Sequence, residues 1–369
     1  MIPKKKIDVD ILGASCAAYS LAKYLKDNTN DKVSFSTKIY GEMSEGVRKD
    51  HYWGFWEMPW LNAAVPVSKK KWKRWVVIDA NEMIEHQSSL YPYCALSSQE
   101  WLSLCADDGD YETDQPLRNN SLVFDSRFPV TSSDCLIQEF VGQTVKIKKN
   151  IFDSQTAVIM DFRCNQSEGL HFIYFLPFSE TEALVESTRI SKSSCTDKWY
   201  QQEIGNYLKS VHRIDNFAVL EEERGKIPLT NINESSKSAL SIGTRSGCLR
   251  GSSGYAFGSI QRQVKQLARD LARGKNIYRQ KQVLRPYSKL VEFMDRVFLR
   301  VIENNPRKAP QIFVNTAKSL NGSEFALFMS GRLNFKIFVQ VVLALPKRIF
   351  LIEFSLELFD KVLERFKWL

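Results

Sequence analysis

One carboxylate in this sequence occupies a position where a charge is costly. Glu186 lies in an apolar stretch, with Leu184 and Val185 before it and Ile190 after it. Burying an ionised carboxylate in such surroundings without a partner is unfavourable. The side chain is therefore either exposed to solvent on an edge strand or tuned by its surroundings for proton transfer.

Glu186 falls in the last of three consecutive strands that the residue pattern predicts. These strands comprise residues 158–164, 170–176 and 182–191. A polar turn and a proline-containing turn separate them. Asp161 and Arg163 in the first strand are spaced to form an ion pair, which either supports the sheet or shapes a substrate pocket.

The N-terminal residues predict a strand, a tight turn, a helix and a second strand. The first strand covers residues 7–12, the helix covers residues 17–26, and the second strand covers residues 33–40. Apolar residues recur at helical spacing between the strands. This order is typical of the βαβ unit that binds dinucleotides.

The glycine fingerprint of such a unit is only partly present. Gly13 occupies the first glycine position and Ala14 follows it, whereas Ser15 and Ala18 stand at the second and third positions. Small residues still let the backbone approach a pyrophosphate at the helix N-terminus. Glu42 is the nearest acid after the second strand that could hold a ribose hydroxyl.

A second glycine-rich segment precedes a long helix predicted over residues 259–273. Its candidate cofactor-binding residues are Gly243, Thr244, Gly247, Gly254 and Tyr255. Turns of this kind at a helix N-terminus can approach a second part of a nucleotide. An ordinary surface loop is the alternative interpretation.

Aromatic and basic residues are concentrated between the two glycine-rich segments. Trp53, Phe55 and Trp56 either pack in the core or line an apolar substrate pocket. Residues 69–75 (KKKWKRW) form either a solvated loop or a contact with an anionic membrane surface. The chain carries a net charge of +9, but no nucleic-acid-binding motif accompanies it.

The cysteine and histidine patterns predict reduced thiols and no metal site. The seven cysteines include no CxxC pair, and the four histidines show no metal-ligand spacing. We also expect no secretory signal, because no long apolar run precedes the first strand. No apolar run reaches the length of a transmembrane helix.

Residues 276–369 have a helical pattern rich in Phe and Leu. Within them, residues 335–369 interleave apolar side chains with Lys336, Lys347 and Arg348. This pattern fits a helical face that docks on a membrane surface. A helical cap packed on the core is the alternative.

A series of ordered segments resembles bacterial-type lycopene beta-cyclases. The similar segments are residues 13–18, 51–56 (HYWGFW), 124–127 (FDSR), 138–143, 160–163, 176–188 (LPF…VEST), 225–229, 243–257, 328–333 and 345–346. The order of these segments along the chain is more specific than any single motif.

The resemblance implies a reaction and a cofactor. The family uses noncovalent FAD in its reduced form, with NAD(P)H as the electron source, to close beta rings on lycopene without net redox change. Glu186 matches the family's acid-base residue. The family's second carboxylate in that motif is replaced here by Ser187, and Glu222 and Glu223 are secondary acid candidates that a solvated run would also explain.

Together these observations predict an α/β fold. A Rossmann-like FAD-binding domain is expected over residues 1–275, with its core at about 1–45, 116–150 and 238–275. An antiparallel β-sheet substrate domain would be inserted at about 46–115 and 151–237, before a C-terminal helical region over 276–369.

Localisation is expected at the cytoplasmic side of a membrane, as a peripheral or monotopic protein. The expected partners are lycopene or a related linear carotene, the membrane surface and other carotenoid-pathway enzymes, with no nucleic acid. Two other functions stay open, namely a flavin-dependent oxidoreductase acting on another isoprenoid and a non-catalytic carotenoid-binding relative.

Overall fold

The structure is a computed structural model that describes residues 4–41, 50–106, 112–113, 116–129, 135–229, 239–277 and 285–366. A parallel sheet forms the first layer of the fold. In spatial order it contains β15 (Leu240–Ser241), β9 (Leu122–Asp125), β1 (Lys5–Leu12), β2 (Val33–Tyr40) and β8 (Glu112–Thr113). The predicted Rossmann-like fold class is thereby confirmed, although residues 136–146, which were predicted within its core, form a strand of the second sheet.

A second, larger sheet is mainly antiparallel, with one parallel pair of strands formed by residues 156–161 and 74–78. Its strands in spatial order are β14 (Ala218–Leu229), β10 (Leu136–Lys146), β13 (Glu182–Ser191), β12 (Leu170–Pro177), β11 (Thr156–Asp161), β5 (Arg74–Ile78) and β6 (Met83–Gln87). A small antiparallel sheet lies in order β3 (Tyr52–Trp56), β7 (Tyr93–Ser97) and β4 (Lys70–Trp72).

Helices cover the sheets and form the C-terminal region, as predicted. The first four are α1 (Cys16–Asp27), α2 (Ser98–Ala106), α3 (Asp197–His212) and α4 (Phe257–Ala272). The C-terminal ones are α5 (Lys289–Asn304), α6 (Ala309–Lys318), α7 (Gly322–Met329), α8 (Phe335–Ala344) and α9 (Lys347–Phe366). Within the described residues, no helix is both long enough and apolar enough to cross a bilayer.

Two strand ends differ from the sequence prediction by three residues or more. β11 ends at Asp161 rather than at residue 164, because the Arg163 backbone N–H donates to Asp161 Oδ1 and turns the chain. β14 continues to Leu229 rather than ending at residue 223, because it pairs with β10 along its length apart from an irregularity at Thr144. The longer β14 places Glu223 within the paired part of this edge strand, opposite Gly142 of β10.

The large sheet separates two hydrophobic clusters. Val185 of β13 lies in the cluster that includes Ile204 and Tyr207 of α3. Leu184, its neighbour in the same strand, lies in the main core. Because successive side chains of a strand point to opposite faces, Glu186 faces the main core.

A buried ion pair joins β1 to the segment before β9. Asp10 is fully buried and accepts hydrogen bonds of 2.8 Å from Arg118 Nε and from the Ser121 hydroxyl. Arg118 also donates to the Ser36 hydroxyl on β2 (3.0 Å). Burial alone would raise the pKa of Asp10, but the hydrogen bonds from Arg118 and Ser121 outweigh it and lower that pKa.

We expect Asp10→Asn to lower the free energy of unfolding by about 3 kcal/mol at pH 7, because Arg118 loses its buried counter-charge. The folded-state pKa of Asp10 is lowered, so its contribution is present above the ordinary carboxyl pKa and is lost as the pH falls below it. Urea unfolding at neutral and acidic pH measures both effects. The matched control is Asp8→Asn at the partly exposed partner of Arg118. Equal stability of Asp10→Asn and the wild type at pH 7 would contradict this role.

Candidate active site

Glu186 lies in the centre of the large sheet and is only 9% exposed. It pairs with Gly142 on β10 and with Tyr174 on β12. The Thr188 hydroxyl donates to Glu186 Oε1 at 2.5 Å. Burial raises the pKa of Glu186 to about 7, against the opposing effect of this hydrogen bond. The carboxyl can therefore hold or release a proton near neutral pH.

A second carboxyl shares this face, contrary to the solvated run expected from sequence. Glu223 of β14 also pairs with Gly142 and is only 7% exposed. The Tyr52 backbone N–H donates to Glu223 Oε2 at 2.8 Å. Burial raises the pKa of Glu223 well above its usual range, and the negative charge of Glu186 adds to the effect.

Glu222 points to the other side of the sheet. Its Oε2 accepts hydrogen bonds from Gln143 Nε2 (2.9 Å) and from Gln201 Nε2 on α3 (2.8 Å). Glu221, which precedes Glu222 in the strand, is exposed. Of the three consecutive acids, only Glu223 therefore belongs to the buried site.

Three tyrosine hydroxyls lie together, one each from the small sheet, the large sheet and the second glycine-rich segment. The hydroxyl oxygen of Tyr93 shares hydrogen bonds with those of Tyr174 (2.5 Å) and Tyr255 (3.0 Å). Burial raises the pKa of each phenol, so all three stay protonated. Because Tyr174 is the strand neighbour of Glu186, this cluster links the acid to the loop that carries Tyr255.

The tyrosine cluster depends on the absence of a side chain at Gly54. A Cβ atom there would collide with the hydroxyl groups of Tyr93 and Tyr174. We expect Gly54→Ala to lower the free energy of unfolding by about 1–3 kcal/mol through overpacking. Chemical denaturation measures it, and Gly205→Ala is the control, because a Cβ there meets no atom within 4 Å. Unchanged stability of Gly54→Ala would show that the tyrosines relax freely.

Aromatic residues of β3 surround this cluster. The rings of Trp56 and Tyr93 are 4.6 Å apart, and the rings of Trp56 and Tyr255 are 5.5 Å apart. Phe55 and Trp56 also line a small cavity next to Tyr255. Trp53 instead stacks on Phe257, with ring centroids 4.9 Å apart, and lines neither this small cavity nor the apolar cavity described below.

Asp161 and Arg163 do not join the site. Their side chains form an ion pair of 2.6 Å, and the Tyr207 hydroxyl of α3 donates to Asp161 Oδ2 at 3.0 Å. They lie on the α3 side of the sheet, opposite Glu186. The structure therefore supports their sheet-stabilising role and corrects their assignment to the substrate pocket.

The N-terminus of α1 presents several hydrogen-bond donors. Ser15 caps the helix by accepting from the Ala18 N–H at 3.3 Å. Gly13 has a positive φ of +89°, and a Cβ there would lie 2.7 Å from Arg127 Cγ. Arg127 is exposed and forms an ion pair of 2.8 Å with Asp125. This donor set suits an anionic phosphate group.

The second glycine-rich segment packs against the same helix end. Its first turn spans Gly243–Ser246, which includes Thr244, and a Cβ at Gly243 would lie 2.7 Å from Ala17 Cβ of α1. Gly247 and Gly254 have positive φ values of +85° and +71°. Ala14 and Ala18 are both buried at the helix end. Glu42 lies outside the described residues.

An apolar cavity of about 470 Å³ lies among the C-terminal helices and the edge of the large sheet. Residues that line it include Met160, Phe298, Phe313, Phe325, Val341 and Phe350. Phe325 also contacts Trp56, with ring centroids 5.8 Å apart. The rings of Phe325 and Trp56 therefore connect the cavity to the tyrosine cluster. Sequence reasoning missed this cavity, since its walls come from helices that only the tertiary structure brings together.

Solved structures share the fold at low sequence identity. A geranylgeranyl bacteriochlorophyll reductase-like protein from Thermoplasma acidophilum has a TM-score of 0.56 and 9% identity, over 94% of this chain and 98% of that one. Salicylate hydroxylase has a TM-score of 0.52 and 10% identity, over 92% and 98%. A 2-methyl-3-hydroxypyridine-5-carboxylic acid oxygenase has a TM-score of 0.51 and 12% identity, over 91% and 98%.

The sequence comparisons are more specific. No curated protein matches the chain significantly. The family model described as lycopene cyclase protein matches residues 98–351. The match includes Glu186, Glu223 and the second glycine-rich segment, and it covers more than half of the sequence. The chain belongs to the lycopene cyclase family.

Proposed function

We propose that this protein is a flavin-dependent lycopene cyclase that closes beta rings on the linear end groups of lycopene. The observation that carries the proposal is the buried Glu186, whose pKa is raised to about 7 by burial. It faces the main core beside Tyr174, where an apolar end group could be protonated without competing water. The family membership supports the same reaction class.

The proposed reaction moves one proton and changes no oxidation state. The Glu186 carboxyl gives its proton to the terminal double bond, and a tertiary carbocation forms. An internal double bond attacks this cation, so that a carbon–carbon bond closes the six-membered ring. The ring then loses a proton to the Glu186 carboxylate, which restores the acid and leaves the beta double bond.

The surroundings of Glu186 suit a cationic transition state. The faces of Trp56, Tyr93 and Tyr174 offer negative electrostatic potential without a strong nucleophile. The pKa of each tyrosine is raised, so the phenols remain neutral and do not trap the cation as phenolates. The aromatic cluster therefore stabilises positive charge while Glu186 handles the proton.

The described residues fit a flavin nucleotide. The α1 N-terminus with Ser15 and Arg127 would hold the pyrophosphate, and the segment from Gly243 to Tyr255 would approach the rest of the cofactor. Reduced FAD, with NAD(P)H as its electron source, would supply negative charge beside the developing cation. The Tyr255 hydroxyl connects that loop to Tyr93.

The apolar cavity is the proposed site for the hydrocarbon chain of the substrate. Its wall combines Phe298, Phe313 and Phe350 of the C-terminal helices with Met160 of β11. Exposed side chains Leu290 and Leu351 also line it, so it reaches the surface near α5 and α9. A long apolar substrate would enter there from a lipid phase.

Helix α9 turns two carboxylates toward α5 and exposes many of its apolar side chains. Glu353 and Glu357 are buried against α5, where Arg296 Nε donates to Glu357 Oε1 at 2.5 Å and Arg300 Nε donates to Glu353 Oε2 at 3.3 Å. Away from these acids the helix carries exposed Leu351, Ile352, Leu356, Leu358, Phe359, Val362 and Leu363. Such an orientation is unfavourable in water and favourable in lipid.

We propose that this outer face of α9, with exposed Phe335 of α8, rests in the cytoplasmic side of the membrane. Lys347 and Arg348 are exposed at the start of α9 and suit anionic headgroups. Ile337 and Val341 of the docking face expected from sequence are instead buried in the core. A membrane contact made only by the outer face of α9 and by Phe335 is that of a peripheral or monotopic protein.

Pigment analysis in a lycopene-accumulating bacterial host tests the proposed reaction. We expect loss of lycopene with gain of gamma-carotene or beta-carotene on expression of this chain. Unchanged lycopene, with folded protein in the membrane fraction, would contradict it. That result would favour an oxidoreductase acting on another isoprenoid or a non-catalytic carotenoid-binding relative.

A further inference from the structure

The second buried carboxyl in the site has no role in the reaction described above. Glu186 and Glu223 belong to β13 and β14, the two strands on either side of β10, and both pair with Gly142. Residues directly opposite one another in adjacent strands point to the same face. The two carboxyl groups therefore flank one glycine from both sides.

Gly142 leaves space between the two acids. Its φ lies outside the left-handed region, so its backbone does not require glycine. A Cβ there would lie 2.9 Å from Glu223 Cγ and 3.3 Å from Glu223 Oε1. Glu223 therefore leans over Gly142, into the gap that a side chain would fill.

Among the residues that the structure describes, no cation balances either carboxyl. Across the described part of the chain, no Lys, Arg or His forms a salt bridge with Glu186 or Glu223, and each accepts one neutral hydrogen bond, from Thr188 or from the Tyr52 N–H. Two buried carboxylates in one apolar site cannot both ionise readily, so a pair of this kind retains a proton.

We propose that Glu223 shares a proton with Glu186 across Gly142 and thereby keeps Glu186 protonated, as a positioning residue for the proton of ring closure. The inference rests on the proposed function. The pair opposes ionisation of Glu186 before the reaction, because loss of the shared proton would leave two carboxylates on one apolar face. Its negative charge favours the cation once the substrate carries one. The proton leaves Glu186 and returns to the pair, so no other reactant is needed.

The test compares Glu223→Gln with wild type in pH profiles of lycopene cyclisation by the purified full-length protein. The amide keeps the size of the side chain and can still accept from the Tyr52 N–H, but it removes the charge. We expect the rate at pH 7.5 to fall by about tenfold, with activity recovering at acidic pH. The activity limb at high pH should move to lower pH, because Glu186 then titrates alone, without the second carboxyl with which it retains a proton.

Other titratable groups face the pair and are unchanged in this variant. They are Asp50, Tyr174, Glu221 and Tyr255. The matched control is Glu222→Gln, because Glu222 binds Gln143 and Gln201 on the opposite face. Its profile should coincide with that of the wild type. A role for Glu223 in packing alone would lower the rate without moving the profile.

A direct titration separates this inference from the proposed function. Carboxyl ¹³C NMR of glutamate-labelled protein, with Glu186→Gln to assign the signal, reports the pKa of Glu186 without any substrate. We expect that pKa to fall in Glu223→Gln. An unchanged pKa and pH profile would overturn the proton-sharing pair even if wild type cyclises lycopene. An inactive wild type would contradict the proposed function, and the NMR result would still decide the pair.

A second variant tests the same inference if Glu223→Gln does not fold. Gly142→Ala places a methyl group against Glu223 and keeps both carboxyls and the total charge. We expect it to displace Glu223 and to lower the pKa of Glu186 in the same direction. An unchanged Glu186 titration in a folded Gly142→Ala protein would count against sharing across this position.

Discussion

Glu186→Gln is expected to lower the rate of cyclisation by about a hundredfold or more, because a positioned general acid usually contributes this much. Glutamine has nearly the same volume and can accept from the Thr188 hydroxyl, so the local packing is preserved. It cannot deliver a proton to an alkene. Pigment analysis in the lycopene-accumulating host and turnover of the purified protein both measure the loss.

The control for this variant lies in the same strand. Glu182→Gln removes a carboxylate at the start of β13 that pairs with Lys69 at 3.2 Å on the surface. We expect it to retain cyclisation. Both variants should keep the unfolding midpoint and flavin absorbance of the wild type. Full cyclisation by Glu186→Gln would remove Glu186 from the reaction and leave the acid to be found elsewhere.

The second large effect concerns the outer face of α9. Ile352, Leu356 and Phe359 form one exposed stripe at helical spacing, and Phe359 is 60% exposed. We expect the combined replacement of these three residues by serine to weaken binding to vesicles of phosphatidylcholine and phosphatidylglycerol by more than about tenfold. Each buried large apolar side chain contributes about 1.5–3 kcal/mol.

Folding should not suffer, because these side chains make few contacts within the protein. Urea unfolding in detergent-free buffer is expected to show equal or greater stability of the triple variant. The matched control replaces Met83, Leu90 and Leu220, which are exposed but distant in sequence from α9, by serine. Sedimentation with vesicles measures binding. Equal loss of binding in both triple variants would show that general surface hydrophobicity, not α9, carries the membrane contact.

Local sequence patterns predicted most of the elements that position the site. The apolar periodicity of residues 17–26 predicted α1, which covers Cys16–Asp27 and is one residue longer at each end. The strands β2 and β13 have the predicted bounds. The partly degraded glycine fingerprint still corresponds to a tight turn, since Gly13 has φ +89° and Ser15 caps the helix. These features depend on neighbours a few residues apart, so the sequence determines them.

The local sequence pattern did not predict which side of α9 faces the rest of the protein. Its sequence combines apolar and charged residues and is compatible with a core cap or a docking face. Arg296 and Arg300 on α5 bind Glu353 and Glu357, which turns the polar side of α9 inward. The partners lie more than fifty positions away, so periodicity within the helix could not predict which side is exposed.

The sequence by itself determined the family features, the strand that carries Glu186 and the two alternatives for that acid, exposed or tuned. Only the tertiary structure decided between them, because burial depends on which face of the sheet meets the core. It also shows that Asp161 and Arg163 lie on the opposite face of the sheet and that Glu223 lies beside Gly142. The physical reason is register, because the pairing of distant strands, and not the residues next to each acid, decides which carboxyls share a low-dielectric site.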